Sequence, residues 1–234
     1  MMDIHSTLKN GDLVITGRLI DASNATLLAE CSYENVAIKC IYKPVAGERP
    51  LWDFPDGNLA NREFAAYLVS ELLGFNIVPF TILRDGPFGV GMVQEWIEID
   101  ESIDLGKFFS TDHPQLRKMA LFDAVINNTD RKIGHLIPRE DGVIFGCDHG
   151  VTFHHEYKLR TVLWQWAGED LNNVELEKLN ALLLKINLDS KKDFQSLLTE
   201  EEIIALSQRI EDLIRHGKFP LPSPDWPAIP WPAF

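Results

Sequence analysis

Four polar residues stand out by type and place. Lys43 closes the run Ile41-Tyr42-Lys43-Pro44. A lysine just past a β-type run can reach into a cleft and neutralise phosphate oxygens, provided an anion holds it there. Glu63, in Asn61-Arg62-Glu63-Phe64-Ala65-Ala66-Tyr67 on the next helical stretch, is placed to be that anion. Asp130, in Asn127-Asn128-Thr129-Asp130-Arg131-Lys132, directly follows a second helical stretch. There an aspartate flanked by polar residues and cations can orient a hydroxyl nucleophile or accept its proton. Asp148, in Phe145-Gly146-Cys147-Asp148-His149-Gly150, follows a strand and precedes a glycine turn, so its carboxylate can face a divalent cation. Taken singly, these are as well read as a solvated lysine, a surface glutamate and two turn carboxylates. Their order along the chain gives them weight.

The elements that must position them are short. Leu13-Val14-Ile15, Gly17-Arg18-Leu19-Ile20, Thr26 through Cys31 and Val36 through Tyr42 are β-type runs separated by turn residues. Residues 44–57 form an apolar loop that packs, and Asn58 caps a helix running to about Leu73, with Gly74 as its stop. Strands over 77–83 and 90–97 complete a β-β-β-α-β-β unit. Asp112, with Pro114 two residues on, starts a helix towards Asn127. Next, His135-Leu136-Ile137 and Val143-Ile144-Phe145 flank Arg139-Glu140-Asp141-Gly142, and the Asp-Gly pair predicts a hairpin. That hairpin brings Asp130 and Asp148, 148 − 130 = 18 positions apart, to the same end. Helices are expected over 157–167, 171–186 and 199–215, the last with a Thr199/Glu202 capping box and Gly217 as its stop. The remaining stretch, 219–234, carries six prolines and two tryptophans, so it is no regular helix, and its aromatics dock it on the body.

Composition bounds the function. The 234 residues hold 22 Lys plus Arg against 35 Asp plus Glu, a formal charge of −13. That excess argues against gripping a nucleic-acid backbone or an anionic membrane. Three scattered cysteines make neither a disulfide framework nor a zinc ribbon. The start shows no signal-peptide pattern and no apolar run approaches the roughly 20 residues needed to cross a bilayer, so a cytoplasmic location is expected.

A five-stranded, one-helix lobe followed by a helical lobe with an embedded hairpin is the layout of protein-kinase-like phosphotransferases. The Tyr-Lys-Pro strand end, the Arg-Glu-Phe-Ala-Ala-Tyr helix, the Asn-Asn-Thr-Asp-Arg loop and the Asp-His-Gly turn resemble the phosphatidylinositol 3- and 4-kinase-like branch of atypical kinases, which is related to the HipA-type and secretory-pathway kinases. Gly47-Glu48-Arg49-Pro50-Leu51-Trp52-Asp53-Phe54-Pro55 and the Pro/Trp tail further resemble a family of small actinobacterial phosphatidylinositol-kinase-like proteins, over nearly the whole chain. The resemblance implies an α+β bilobal fold: an N-lobe over 1–97, a C-lobe over 98–218 and a docked tail over 219–234. It implies ATP with Mg²⁺ or Mn²⁺; against the family label, the acidic chain and the lack of an evident membrane-binding helix point to a small molecule or a protein as the acceptor rather than a lipid. Lys43 becomes the phosphate-binding lysine, Glu63 its partner, Asp130 the catalytic aspartate and Asp148 the metal ligand. The turn over 21–26, with Ser23, Asn24, Ala25 and Thr26, becomes the phosphate-covering loop. Gln94, Glu95, Trp96 and Ile97 form the interlobe connection that meets adenine through its backbone, and Arg131 and Lys132 add positive charge over phosphate.

One departure concerns His135, which stands where related kinases carry a metal-binding asparagine five positions after the catalytic aspartate. An imidazole suits a softer ion such as Mn²⁺ better than Mg²⁺, and it equally suits a phosphate contact or a structural hydrogen bond. His149, His154 and His155 are read as structural or surface residues rather than a zinc site, since the adjacent His154 and His155 on an extended segment would point opposite ways. Three alternatives stay open: a nucleotide-holding pseudokinase, a kinase-fold nucleotidyltransferase or ligase, and, last, a zinc hydrolase built on His135, Asp148 and His149.

Overall fold

The computed structural model describes residues 4–19, 24–188 and 191–234, except for the Lys191 side chain. A short helix α1 (Ile4–Asn10) precedes the strands β1 (Asp12–Arg18), β2 (Leu27–Tyr33) and β3 (Val36–Pro44). Then come helix α2 (Leu59–Leu72) and strands β4 (Thr81–Gly86) and β5 (Gly89–Glu95). The five strands form one antiparallel sheet in the order β1-β2-β3-β5-β4. This is the expected β-β-β-α-β-β unit with one element added: α1 lies under the sheet, where Leu8 is fully buried beside Cys31 and Tyr42.

The fourth strand begins later than the apolar run suggests. Ser70 Oγ accepts the N–H groups of Ile77 and Val78, at 3.0 and 3.3 Å, and Pro79 has none to give. Ladder pairing therefore starts at Thr81. In α2, Asn58 Oδ1 accepts the Asn61 N–H at 2.7 Å, the expected cap. Glu48 adds a second: its two oxygens accept the N–H groups of Leu59 and Ala60, each at 2.8 Å.

The second half is mainly helical: α3 (Leu105–Phe108), α4 (Pro114–Ile126), α5 (Asn173–Leu188), α6 (Lys191–Gln195) and α7 (Glu200–His216). The hairpin β6 (Leu136–Pro138) and β7 (Ile144–Gly146) lies between α4 and α5. His113, not Asp112, caps α4, because Asp112 Oδ1 accepts the Trp166 indole N–H at 3.2 Å. The α7 capping box and the left-handed Gly217, at φ 62°, stand as the sequence suggests.

The helix expected over 157–167 is absent. That segment gives its backbone groups to distant partners instead: Arg160 N–H to Asn128 O, Val162 N–H to Arg131 O and Thr161 N–H to Ala228 O, at 2.9–3.2 Å. Long-range pairing has overridden local periodicity. The same contacts hold the Pro/Trp stretch, where Ala228 O also accepts the Trp164 indole N–H at 2.9 Å and Ala233 O accepts the Ile133 N–H at 2.9 Å. No helix among the described residues is long and apolar enough to cross a membrane.

Candidate active site

Three separate elements deliver three charged groups to one point. Lys43 lies near the end of β3, Glu63 in the first half of α2, and Asp148 just beyond β7. Lys43 Nζ is 2.5 Å from Glu63 Oε1 and 2.8 Å from Asp148 Oδ1. Glu63 uses its other oxygen to accept the His149 N–H at 2.9 Å, so α2 is tied directly to the Asp148 turn. One ammonium between two carboxylates leaves the group one negative charge in excess. Burial alone would favour neutral Lys43, but the Asp148 and Glu63 carboxylates outweigh it and hold the ammonium well above its ordinary range. The Lys43 charge in turn holds the Asp148 carboxyl well below the usual carboxylate range. Burial pushes Glu63 upward, against the pull of Lys43.

Backbone shape sets the Asp148 carboxylate. Asp148 adopts a left-handed conformation, φ 59°, which aspartate tolerates better than most residues. Its side chain is 52% exposed, and Oδ2, the oxygen that Lys43 does not take, faces His135 Nε2 at 3.6 Å. Such an oxygen suits a hard cation, so the donor set fits Mg²⁺ or Mn²⁺ at Asp148. His135 fits less simply. Its Nδ1 faces the Lys132 N–H at 3.4 Å, which favours the proton on Nε2, towards Asp148, and leaves no lone pair there for a metal. Burial keeps this ring neutral, with a pKa lowered to about 4.

Asp130 stands on a loop fixed from beneath. Asn127 ends α4 in a left-handed conformation and donates to the carbonyls of His154 and Glu156, at 2.9 and 2.7 Å. Asn128 Oδ1 accepts the Asp130 N–H at 3.0 Å, and Asn128 Nδ2 donates to Asp123 Oδ1 at 3.0 Å. Lys132 Nζ lies 3.5 Å from Asp130 Oδ2. Burial raises the Asp130 pKa, opposed chiefly by the Lys132 charge.

Several expected contacts are placed differently. Arg131 is fully buried and already engaged, rather than presented to a ligand: its guanidinium pairs with Asp123 at 2.9 Å and meets His149 Nε2 at 2.7 Å. Asp123 is fully buried too, and also accepts the Thr161 hydroxyl at 3.0 Å. Because a guanidinium only donates, His149 Nε2 accepts and its proton sits on Nδ1. This Asp123–Arg131–His149 network joins the Asp130 loop to the Asp148 turn. Sequence reasoning passed over it, although a lone aspartate in the apolar run Leu121-Phe122-Asp123-Ala124-Val125 signals a buried partner.

In the interlobe connection, the Glu95 and Trp96 N–H groups bond to Phe80 O and Lys39 O, at 2.9 and 3.1 Å, so neither is free for a base. The Gln94 side chain is buried against Thr81, while Ile97 closes the connection as a buried side chain. Of the phosphate-covering turn, Ser23 lies outside the described residues. Asn24 Oδ1 accepts the Arg49 N–H at 2.9 Å, Ala25 N–H donates to Gly47 O at 3.2 Å, and Thr26 is buried. These bonds withdraw the Ala25 donor from phosphate.

His154 and His155 do not diverge as an extended segment requires. Phe153 turns left-handed, φ 66°, and the two rings stack with centroids 4.6 Å apart. Their nitrogens and a Glu156 oxygen lie within 4.8 Å of one another. His154 is already engaged, since Nδ1 accepts the Glu156 N–H at 3.0 Å and Nε2 lies 3.0 Å from Lys158 Nζ.

Comparison with known proteins bears on the fold. No family model matches the chain. Among solved structures, the Golgi casein kinase superposes with a TM-score of 0.56 at 13% identity, over 91% of this chain and 72% of that one. The Helicobacter pylori proinflammatory kinase CtkA gives a TM-score of 0.49 at 11% identity, over 90% and 93% of the two chains. The first likeness establishes a kinase-like fold: an antiparallel sheet lobe joined to a helical lobe. Protein Rv2133c of Mycobacterium tuberculosis is 41% identical over 267 aligned positions, covering 99% of this chain and 96% of that protein. With that identity over almost the full length of both chains, this kinase-fold protein belongs to the family of Mycobacterium tuberculosis Protein Rv2133c.

Proposed function

We propose that the chain is an ATP-dependent phosphotransferase acting on a hydroxyl of a small molecule or a protein. The observation that carries this reading is Lys43 held at once by Glu63 and Asp148, at 2.5 and 2.8 Å, from three different elements. A structural ion pair needs one partner. Two carboxylates on one lysine at a lobe junction make a site with surplus negative charge, which the divalent cation of a metal–nucleotide complex would neutralise while Lys43 meets its phosphates. The resemblance of the surrounding motifs to the phosphatidylinositol 3-/4-kinase-like and HipA-type enzymes supports the same roles.

In this reading Lys43 holds the α- and β-phosphates while Glu63 fixes its direction. Asp148 offers Oδ2 to a divalent ion, which when bound neutralises charge on the transferred phosphoryl group. His135 faces that oxygen from the Nε2 side and steadies Asp148, with a ligand role only in its other tautomer. Asp130 lines up the acceptor hydroxyl and takes its proton, and Lys132 offers charge at the same edge. Catalysis then rests on positioning and charge neutralisation.

His135 in place of asparagine and the withdrawn Ala25 donor favour a second reading, a nucleotide-holding pseudokinase. One experiment separates the two. Thermal stabilisation by ATP with Mg²⁺ or Mn²⁺ is measured in wild type, Lys43→Ala and Asp148→Ala, followed by γ-phosphate release in wild type and Asp130→Ala. At 100 times the dissociation constant a ligand stabilises by about 2.7 kcal/mol. Metal-dependent stabilisation lost in both variants, with turnover lost in Asp130→Ala, supports phosphotransfer. Stabilisation without turnover supports the pseudokinase, and AMP attached to an acceptor would show nucleotidyl transfer. No stabilisation with either ion sinks the nucleotide site itself.

A further inference from the structure

The Asp130 loop runs beside a second extended segment, and the pairing decides which side chains share a face. Arg131 and Thr161 are bridged in parallel: the Arg131 N–H donates to Arg160 O at 3.1 Å, and the Val162 N–H to Arg131 O at 3.2 Å. Both side chains of this bridge turn inward and bond Asp123. Side chains alternate along extended backbone, so the residues just before them, Asp130 and Arg160, turn together to the opposite face. The electrostatics agree. Burial raises the Asp130 pKa, the Lys132 charge opposes it most, and Arg160 is a further charge that pulls it down.

Arg160 is held in place without a counter-charge. Its guanidinium lies 5.8 Å over the Trp226 ring, a cation–π contact. Trp226 belongs to the Pro/Trp stretch, which is pinned nearby where Ala228 O accepts the Thr161 N–H at 3.1 Å. The Arg160 side chain makes no ion pair or hydrogen bond among the described residues. Its Nε is sealed off from solvent, but the residue as a whole is only half-buried, so the Nη end is the open one. The other cations here are committed: Lys132 to Asp130 itself, Arg131 to Asp123, and Lys158 to Asp53 and Glu156. An accessible guanidinium fork matches a carboxylate or a phosphate. The same stretch bonds the Ile133 N–H through Ala233 O at 2.9 Å, so it walls the loop and suits a small acceptor better than a protein surface. We infer that the acceptor is a small hydroxyl compound carrying a carboxylate or phosphate close to its hydroxyl, and that Arg160 receives this anion. The inference rests on the phosphotransfer reading. In the transfer the acceptor oxygen bonds the γ-phosphorus as its bond to the β–γ bridging oxygen breaks; ADP leaves, and the hydroxyl proton goes to Asp130.

Calorimetric titration of the full chain tests this, with glycerate and glycerol 3-phosphate as probes and glycerol as the uncharged control. Saturable binding of either anion is expected, with glycerol at least about tenfold weaker, and Arg160→Gln should weaken the anion by about tenfold or more. Where Arg160→Gln fails to fold, Trp226→Leu takes its place: it removes the ring beneath the guanidinium without touching a charge and should weaken the anion severalfold. Absence of saturable binding by both anions, equal binding of glycerol, or an anion affinity unchanged by the substitution overturns the inference. Nucleotide-dependent stabilisation of the same samples separates the two claims. Its absence in wild type, with Arg160-dependent anion binding intact, overturns the phosphotransfer reading and upholds the anion receptor. Its presence without anion binding overturns the receptor alone.

Discussion

Helix α2, which carries Glu63, is bolted to the helical lobe by the residue next to it. Arg62 is 2% exposed and reaches Glu202 through Nη2 at 2.6 Å and Nε at 3.2 Å. It also donates to Asn58 O and Asp56 O and lies 5.0 Å over the Phe54 ring. Replacing Arg62 by Met leaves the Glu202 carboxylate buried with one partner fewer. Breaking a buried pair costs about 3–5 kcal/mol. Glu202 Oε2 keeps the Thr199 N–H at 2.9 Å, so the lower end applies, about 3 kcal/mol. For a chain of this size that corresponds to a loss of roughly 6–12 °C in melting temperature. Urea denaturation of Arg62→Met, Glu202→Met and the double variant should show the double variant about 2 kcal/mol more stable than the sum of the singles predicts. Nucleotide-dependent stabilisation should also weaken in Arg62→Met, because Glu63 loses its fixed frame. Strict additivity, or a single substitution that costs under about 1 kcal/mol, would refute the view that this pair holds α2.

Burial lowers the pKa values of His135, His149 and His154, the first to about 4, so each binds its proton more readily in the unfolded chain. Their contribution is therefore fully present above about pH 6.5 and is lost as pH falls towards the folded values, by up to about 1.4 kcal/mol per pH unit for each histidine. Urea midpoints at pH 7, 6 and 5 should fall steadily, His149→Gln should flatten the slope by about one proton, and constant midpoints contradict the assignment. Asp123→Asn leaves Arg131 buried beside a neutral amide and should cost about 3 kcal/mol or more by the same denaturation, with a larger loss of turnover than of nucleotide affinity. A Cβ at Gly91 would lie 2.5 Å from Lys43 O and 2.7 Å from Pro44 Cα, so Gly91→Ala should destabilise by about 1–3 kcal/mol and weaken nucleotide-dependent stabilisation, read by thermal melts with and without ATP. If Asp130 accepts the hydroxyl proton, turnover should fail on acidification at a pH above that of an ordinary aspartate, because only the carboxylate form acts and burial raises its pKa.

What was legible in the sequence was whatever local chemistry determines. The Asn58 cap, the Thr199–Glu202 box, the Asp141-Gly142 hairpin and the left-handed Gly217 follow from residue type at fixed offsets, and the structure contains each. The lysine, glutamate and aspartate of the candidate site were legible because their order along strand, helix and turn restricts where they meet. Residues 157–167 failed for the opposite reason: their backbone partners, Asn128, Arg131 and Ala228, are remote in sequence. Arg131 failed likewise. A cation beside Asp130 reads as a phosphate contact until Asp123 and His149 are seen around it. Arg62 and Glu202, 140 positions apart, carry no local signal of their pairing.

The buried apolar side chains divide the molecule along a line different from its two lobes. Ala65, Ala66 and Val69 of α2 belong to the same continuous core as Leu121, Leu179 and Leu206 of α4, α5 and α7. The sheet and α1 share a separate, smaller core of Leu8, Ala29, Cys31, Cys40, Tyr42 and Val93. Cooperative unfolding should follow these cores, so amide hydrogens of α2 are expected to exchange with those of the helical lobe, while the sheet opens as its own unit at lower free energy. Lys43 then rides on one unit, and Glu63 and Asp148 on the other. The ion pairs among them form the joint between two separately melting bodies, and exchange at the end of β3 reports directly on whether that joint is closed.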